Sequence, residues 1–283
     1  AYEIMPSLVG SEMCIRDRYT TLAPNLKSIA NGSMVKESIG WGALTGLAGA
    51  LLSQEGFTGV TPILLEPDHR KLLGDIGCTF RILGTYLKNY ACCRWIHPAI
   101  EGVRKLTNRY QIKRDRIIRI SVSTFAKALT LNNKRPTTPV AAQYSLPFAI
   151  AAFLCDECLG PEQVSEKALA RPEILELAQK VEIKVDPEFE VCFPAKRVAR
   201  VTIATADEES FSTTVVGSRG DPEWPLCEAE IQDKFHRLAE RVLSSNEATN
   251  IREAVEHLEK HTLEEFVGFL AECLARNRAR PYE

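Results

Sequence analysis

Ionisable side chains are concentrated in residues 88–98 of this 283-residue chain. Lys88 and Arg94 can hold a carboxylate, and Lys88, Cys93 and His97 can move a proton near neutral pH in a suitable environment. A segment that served only the hydrophobic core would not contain so many ionisable groups. The alternative interpretation is a partly buried turn with a histidine whose hydrogen bonds are satisfied, and the residue types alone leave both open.

The elements around this cluster predict where it lies. Residues 95–100 begin an apolar-periodic pattern that predicts a helix, and Pro98 is tolerated only in its first turn. The cluster is therefore predicted on a loop that leads into a helix N-terminus. Free N–H groups and the helix dipole favour an anion at such a position.

The first 18 residues are predicted to be foreign to the fold. Residues 8–17 resemble the translation of a transposase-type sequencing adapter. A secretory signal peptide is the competing interpretation, but Glu3, Glu12 and Arg16 leave no apolar stretch for one. We therefore expect the natural sequence to begin near Tyr19, within a longer gene.

Composition limits the classes of protein to which the chain can belong. A formal net charge of −2 argues against a nucleic-acid-binding protein, which normally carries a basic excess. The hydrophobic content of 45% is ample for real cores. Residues 39–52 form the most apolar run, which is too short for a membrane span. We expect a cytoplasmic protein with reduced thiols.

The cysteines do not predict a metal or a cofactor. Cys155 and Cys158 have the spacing of half a zinc site or of a redox pair, but no second pair lies at a usable spacing. Adjacent Cys92 and Cys93 are poorly placed for an iron–sulfur cluster, which takes about four spaced thiolates. The cysteines therefore predict neither a zinc site nor an iron–sulfur cluster, and no cofactor is expected.

Hydrophobic periodicity predicts the elements of the chain. Strands are predicted at residues 79–86, 118–122, 181–185, 198–205 and 210–216. Helices are predicted at residues 35–54, 95–110, 140–158 and 172–180, and the chain beyond residue 225 is predicted to be helical. The last two strands form a hairpin, and this antiparallel element favours an α+β fold over a purely parallel sheet.

The order of these elements predicts a discontinuous architecture. Residues 78–218 form an α+β domain with a mixed or antiparallel sheet, and the Gly/Pro-rich residues 217–225 lead out of it. Residues 19–77 and 219–283 are helical and need an apolar partner surface. They are predicted to belong to one helical domain that the α+β lid domain interrupts and whose N-terminal half is missing.

Four segments together resemble one protein family. Residues 34–46, 88–98, 143–148 and 219–225 are similar to motifs of the MmgE/PrpD family, which includes 2-methylcitrate dehydratase, cis-aconitate decarboxylase and related epimerases. The resemblance implies a helical domain built from both ends of the chain around an α+β lid. It also implies a metal-free active site between the two domains and a homodimer.

The resemblance also implies roles for individual residues. Lys88 falls where the decarboxylase branch has a catalytic lysine, so it would bind a carboxylate and donate or relay a proton. His97 matches a family histidine and would act as an acid, a base or a carboxylate donor. Arg94 would clamp a carboxylate with its planar fork. Further substrate-binding candidates are Tyr90, Cys93, Lys36 and Ser33.

Two positions depart from the decarboxylase branch. Cys93 stands where that branch carries a histidine, and Phe125 stands where it carries a functional tyrosine. Both departures argue against cis-aconitate decarboxylase itself and leave the substrate open.

The expected activity is loss of water from a hydroxylated di- or tricarboxylate such as 2-methylcitrate. Such an elimination needs a base, an acid and cations that hold the carboxylates, and no residue here clearly serves as the base. We expect the parent protein to be an enzyme and this chain alone to be inactive. The alternatives are an epimerase, an isomerase, a decarboxylase, or a non-catalytic carboxylate-binding module.

Overall fold

The computed structural model describes residues 39–59 and 74–277, with the side chains at a few helix positions left out. The chain divides into two compact units at the junction between Trp224 and Pro225. This junction lies inside the Gly/Pro-rich loop of residues 217–225. The discontinuous helical domain and its boundaries at residues 18, 77 and 218 stay predictions.

A mixed sheet organises the first unit. Within the described residues it has four strands: β1 Ile117–Thr124, β2 Val181–Val185, β3 Val198–Thr205 and β4 Ser210–Val216. The strand order is β2-β1-β3-β4, in which β1 and β2 run parallel and the other neighbours run antiparallel. The predicted α+β class is confirmed, as are the last four predicted strands.

Alternation along the central strands places one set of side chains in the core. Ile120 pairs with Ile203 and Val122 pairs with Val201 across β1 and β3, and all four side chains are fully buried. The residues between them, such as Ser121 and Thr202, are only partly buried. This is the period of two that one buried sheet face requires.

The described residues of the first unit form seven α-helices, some of which pack on this sheet. They are α1 Ile39–Gln54, α2 His97–Tyr110, α3 Pro139–Gln143, α4 Leu146–Asp156, α5 Glu166–Leu169, α6 Pro172–Gln179 and α7 Pro187–Cys192. Short 3₁₀ segments lie at Arg81–Gly84, Arg114–Arg116, Ala126–Leu131 and Glu162–Val164. Among the described residues, no helix has the length and apolar character needed to cross a membrane.

The second unit is helical, as predicted. It contains α8 Glu228–Ala239, α9 Ser245–Glu256 and α10 Leu263–Asn277, with a 3₁₀ segment at Leu258–Lys260. Thr262 and Glu265 form a capping box before α10. The Thr262 N–H donates to the Glu265 carboxylate at 2.8 Å, and the Glu265 N–H donates to the Thr262 hydroxyl at 3.2 Å.

The predicted strand at residues 79–86 is wrong. The 3₁₀ segment Arg81–Gly84 lies there, and the side chains of Ile82 and Leu83 are 77% and 81% exposed. A strand needs a neighbour for its N–H and C=O groups, and the described part of the chain supplies none here. Local hydrogen bonds replace the ladder, such as the one from the Leu83 N–H to the Phe80 carbonyl at 3.1 Å.

The single helix predicted at residues 140–158 is divided into α3 and α4. Ser145 caps α4 by accepting a hydrogen bond from the Phe148 N–H at 3.0 Å, and Pro147 lies in the first turn of that helix. In a continuous helix Pro147 would clash with the Gln143 carbonyl and could not donate to it. The break removes this clash and makes the Gln143 carbonyl available to another donor.

Helix α2 lies against β3 and β4 through its buried face, which includes Ile100, Val103 and Leu106. Gly102 lies on the same side of the helix. A Cβ atom at this position would come within 2.6 Å of the Val201 Cγ2 atom. Because the valine side chain is stiff at χ1, the helix and the strand can approach this closely only with glycine at residue 102.

Gly102→Ala should therefore lower the free energy of unfolding by about 1–3 kcal/mol, the usual range for overpacking a core. Chemical denaturation followed by circular dichroism measures this. Gly42→Ala is the matched control, because a Cβ atom at this helical position meets nothing within 4 Å. Stability of the Gly102 variant equal to that of the wild type would contradict the packing described here.

Candidate functional site

The ionisable cluster lies on a loop that three backbone hydrogen bonds fix to distant parts of the first unit. The Leu87 N–H donates to the Gly220 carbonyl at 2.9 Å, and the Ala91 N–H donates to the Leu159 carbonyl at 2.9 Å. The Cys93 N–H donates to the Gln143 carbonyl at 2.7 Å, the acceptor that the break before α4 makes available. The loop then enters α2, which begins at His97, two residues later than predicted, with Pro98 in its first turn as expected.

Arg94 is the most deeply constrained cation of this loop. Its Nη2 atom donates to the Asp221 Oδ1 atom in a buried ion pair, and the two side chains are 8% and 11% exposed. The Tyr86 ring packs on the guanidinium, with 5.0 Å between the Arg94 Cζ atom and the ring centroid. The Nη1 atom is buried, and no described residue accepts a hydrogen bond from it.

Asp221 in turn shapes the loop of residues 217–221. Its Oδ2 atom accepts the Ser218 backbone N–H at 2.8 Å. Gly217 has φ +70, and a Cβ atom there would come within 2.8 Å of the Asp221 Oδ2 atom. Glycine is required at residue 217 both for its left-handed backbone and for the close approach of the carboxylate.

His97 lies beneath this loop and is 1% exposed. Its Nδ1 atom is 3.4 Å from the Ser218 hydroxyl oxygen. The Tyr90 ring contacts the imidazole edge-on, with ring centroids 5.2 Å apart. The structure therefore brings His97, Arg94, Ser218 and Asp221 together, although Asp221 and Ser218 are more than a hundred residues away from the cluster in sequence.

Tyr90 points its hydroxyl away from this group and into α2. The hydroxyl donates to the Glu101 Oε1 atom at 2.9 Å, and Glu101 is completely buried. Arg104 neutralises the same carboxylate, with 2.7 Å between its Nη2 atom and the Glu101 Oε2 atom. Burial raises the pKa of the Tyr90 hydroxyl above its ordinary value, and the negative charge of Glu101 raises it further.

Lys88 and the two adjacent thiols differ in accessibility. Lys88 is exposed, and among the described residues none forms a hydrogen bond or ion pair with its amine. Burial raises the pKa of the Cys92 thiol, Cys93 raises it further, and the positive charge of Lys88 opposes the shift. Cys92 is therefore an inert core residue, whereas Cys93 is half-buried.

Phe125 belongs to an aromatic cluster within the core. It is completely buried, it stacks on Phe193 with ring centroids 4.2 Å apart, and Trp95 contacts it edge-on at 5.5 Å. The ring packs against neighbouring side chains in this structure, and its role is that of a core residue.

Ser33 and Lys36 lie outside the described residues. Within the described part of the chain, no group of histidine, cysteine, aspartate or glutamate side chains is arranged to hold a metal ion. Cys155 is half-buried and Cys158 is exposed, and burial raises the pKa of the Cys155 thiol.

A separate cleft of about 810 Å³ lies between the end of α2 and the end of α4. Arg104, Asn108, Arg114 and Cys155 are among its lining residues, and none of the predicted site residues lines it. One of its basic side chains, Arg104, forms an ion pair with Glu101 of the same helix. The cleft therefore does not coincide with the cluster of residues 88–98.

Sequence reasoning did not assign roles to Ser218, Asp221 and Glu101. Asp221 lies in the Gly/Pro-rich loop of residues 217–225, and no local spacing links it to Arg94. Glu101 gave a usable signal, because a carboxylate on the apolar face of a predicted helix needs partners in the core.

Comparisons with known proteins give a consistent set of similarities. The model of the MmgE/PrpD C-terminal domain matches residues 90–260. The chain is 27% identical to the cis-aconitate decarboxylase of Aspergillus terreus over 272 residues, which cover 86% of this chain and 55% of that protein. It is 25% identical to the cis-aconitate decarboxylase-like protein oryM of Aspergillus oryzae, again over 55% of that protein. The human cis-aconitate decarboxylase is 24% identical over 171 residues. The chain thus spans about half the length of the Aspergillus relatives.

Tyr90→Phe should lower the free energy of unfolding by about 1–3 kcal/mol, because it leaves the buried Glu101 Oε1 atom without its donor. Tyr110→Phe is the matched control, because Tyr110 is 42% exposed and contacts Phe211 through its ring, which the substitution keeps. Urea denaturation of both variants measures the difference. Equal stability of the two variants would show that the Tyr90 hydroxyl does not stabilise Glu101.

Proposed function

Because the chain belongs to the MmgE/PrpD family, we propose that it carries part of a lyase site for small di- or tricarboxylates. The relatives are named for a decarboxylase, and decarboxylases and dehydratases share the need to hold carboxylates and to move a proton. The proposed reaction is elimination of water from a hydroxylated acid such as 2-methylcitrate. The whole enzyme is proposed to be a cytoplasmic homodimer that needs no metal.

One observation carries this proposal: the loop of residues 88–97 offers two cations of different character. The Lys88 amine is exposed. Arg94 is held rigidly by Asp221, and its buried Nη1 atom lacks an acceptor in the described part of the chain. A carboxylate is the acceptor that a guanidinium N–H binds most strongly.

The rigid geometry of Arg94 favours positioning of a substrate. A guanidinium that one carboxylate already fixes loses little side-chain entropy when it binds a second one. The internal pair with Asp221 also changes the expected mode of binding. Since Nη2 is occupied by Asp221 and Nη1 is buried, the exposed Lys88 is proposed to make the first contact with a substrate carboxylate, and Arg94 to bind through Nη1 once the side chains that cover this atom have moved.

The chemistry follows from these two cations. Elimination of water requires removal of a carbon-bound proton and protonation of the leaving hydroxide, while the carboxylates stay neutralised. Lys88 is proposed to protonate the leaving group or to relay that proton. Arg94 is proposed to hold a carboxylate, with Tyr90 and Cys93 as neighbouring residues of the same loop. Ser33 and Lys36 are proposed for the opposite wall of the site.

A decarboxylase is the second candidate, because the named activity of the relatives favours it. Two residues weigh against it: Cys93 replaces the histidine and Phe125 replaces the tyrosine that the resemblance to the decarboxylase branch would imply. A phenylalanine has no hydroxyl to offer a substrate, and Phe125 is buried against Phe193. An epimerase, an isomerase or a carboxylate-binding module would use the same cations.

In the protein extended to the full length of its relatives, Lys88→Ala should lower turnover at least about a hundredfold, as loss of an acid–base group typically does. Lys167→Ala is the matched control, because Lys167 is another exposed lysine of the first unit. Formation of the unsaturated acid from 2-methylcitrate reports the dehydratase, and release of carbon dioxide from cis-aconitate reports the decarboxylase. Turnover of the Lys88 variant close to that of the wild type would overturn the site assignment.

A further inference from the structure

We infer that Ser218 and Asp221 are positioning residues that hold His97 in the tautomer with its proton on Nδ1. The hydrogen bonds around the Ser218 hydroxyl carry this inference. Its oxygen lies 3.1 Å from the Arg219 carbonyl oxygen and 3.4 Å from the His97 Nδ1 atom.

The proton count at this hydroxyl decides the direction of both bonds. A serine hydroxyl has one proton to donate and lone pairs with which to accept, whereas a carbonyl oxygen can only accept. The contact between Ser218 and the Arg219 carbonyl therefore uses the serine proton. The second contact can form a hydrogen bond only if the His97 Nδ1 atom carries a proton and donates it to the Ser218 oxygen.

Asp221 fixes the Ser218 hydroxyl where its oxygen can accept a hydrogen bond from the His97 Nδ1 atom. Its Oδ2 atom holds the Ser218 backbone N–H at 2.8 Å, and its Oδ1 atom is tied to the buried guanidinium of Arg94. The close approach of Asp221 to Gly217 restricts the backbone just before Ser218. Ser218 is 1% exposed, so water does not compete freely for its oxygen.

The tautomer determines what His97 can do. In the neutral imidazole with the proton on Nδ1, the lone pair is on Nε2, so this nitrogen accepts a proton and cannot donate one. If the site works as proposed above, His97 acts as a proton acceptor through Nε2, and Ser218 stabilises the ring when it becomes positively charged. The assignment of the tautomer itself does not depend on the proposed reaction.

Two-bond ¹H–¹⁵N correlation spectra of the ¹⁵N-labelled 283-residue chain test the inference, because they distinguish protonated from unprotonated ring nitrogens. The chain has five histidines, and His97→Gln identifies the signals of His97 by their loss. At a pH where the ring is neutral, the expected pattern is a protonated Nδ1 and an unprotonated Nε2. The reverse pattern in the wild type would overturn the inference without the use of any further variant.

Variants then test the two positioning residues. Ser218→Ala removes the acceptor, so the signals should shift towards the tautomer with its proton on Nε2, whereas Ser218→Thr should keep the wild-type pattern. Asp221→Asn retains an oxygen for the Ser218 N–H and should preserve more of the wild-type tautomer than Asp221→Ala. An unchanged pattern in both alanine variants would refute the positioning role. These spectra need no substrate, so their failure is distinct from the failure of the proposed lyase activity.

Discussion

A buried ion pair between Arg94 and Asp221 joins two loops that are far apart in the sequence. Neither charge can be left alone at this depth, because an unpaired buried charge costs several kcal/mol. The position of one loop therefore fixes the position of the other. The Leu87 N–H to Gly220 carbonyl bond reinforces the same connection from the backbone.

The sheet and its helices supply the frame in which this pair can form. Gly102 lets α2 approach β3 closely, and this approach places the N-terminus of α2, with His97, beneath residues 217–221. Pro147 has no N–H to donate to the Gln143 carbonyl, so this carbonyl accepts a hydrogen bond from the Cys93 N–H instead. Gly102 and Pro147, which carry no ionisable group, thus help to position the backbone of residues 88–98.

The fold could be predicted further from sequence than the site could. Period-two alternation was sufficient for the strands from residue 117 onward, since alternate side chains of the central strands β1 and β3 are buried. It failed at residues 79–86, where no strand of the described residues is available to pair. The loop of residues 88–97 and the position of Pro98 were also predictable from local rules. The partners of Arg94 and His97 were not predictable, because only tertiary packing brings Asp221 to Arg94 and Ser218 to His97. The partner of Tyr90 was not predictable either, because the sequence around Glu101 does not indicate which hydroxyl it binds.

A double-mutant cycle on the ion pair tests the central claim most directly. Arg94→Met and Asp221→Leu should each lower the free energy of unfolding by about 3–5 kcal/mol, because each leaves a buried charge without its partner. The combined variant should lose less than the sum of the two, with an interaction energy of about 0.5–3 kcal/mol. Losses that add up, measured by denaturation under the same conditions, would show that Arg94 and Asp221 do not hold the two loops together.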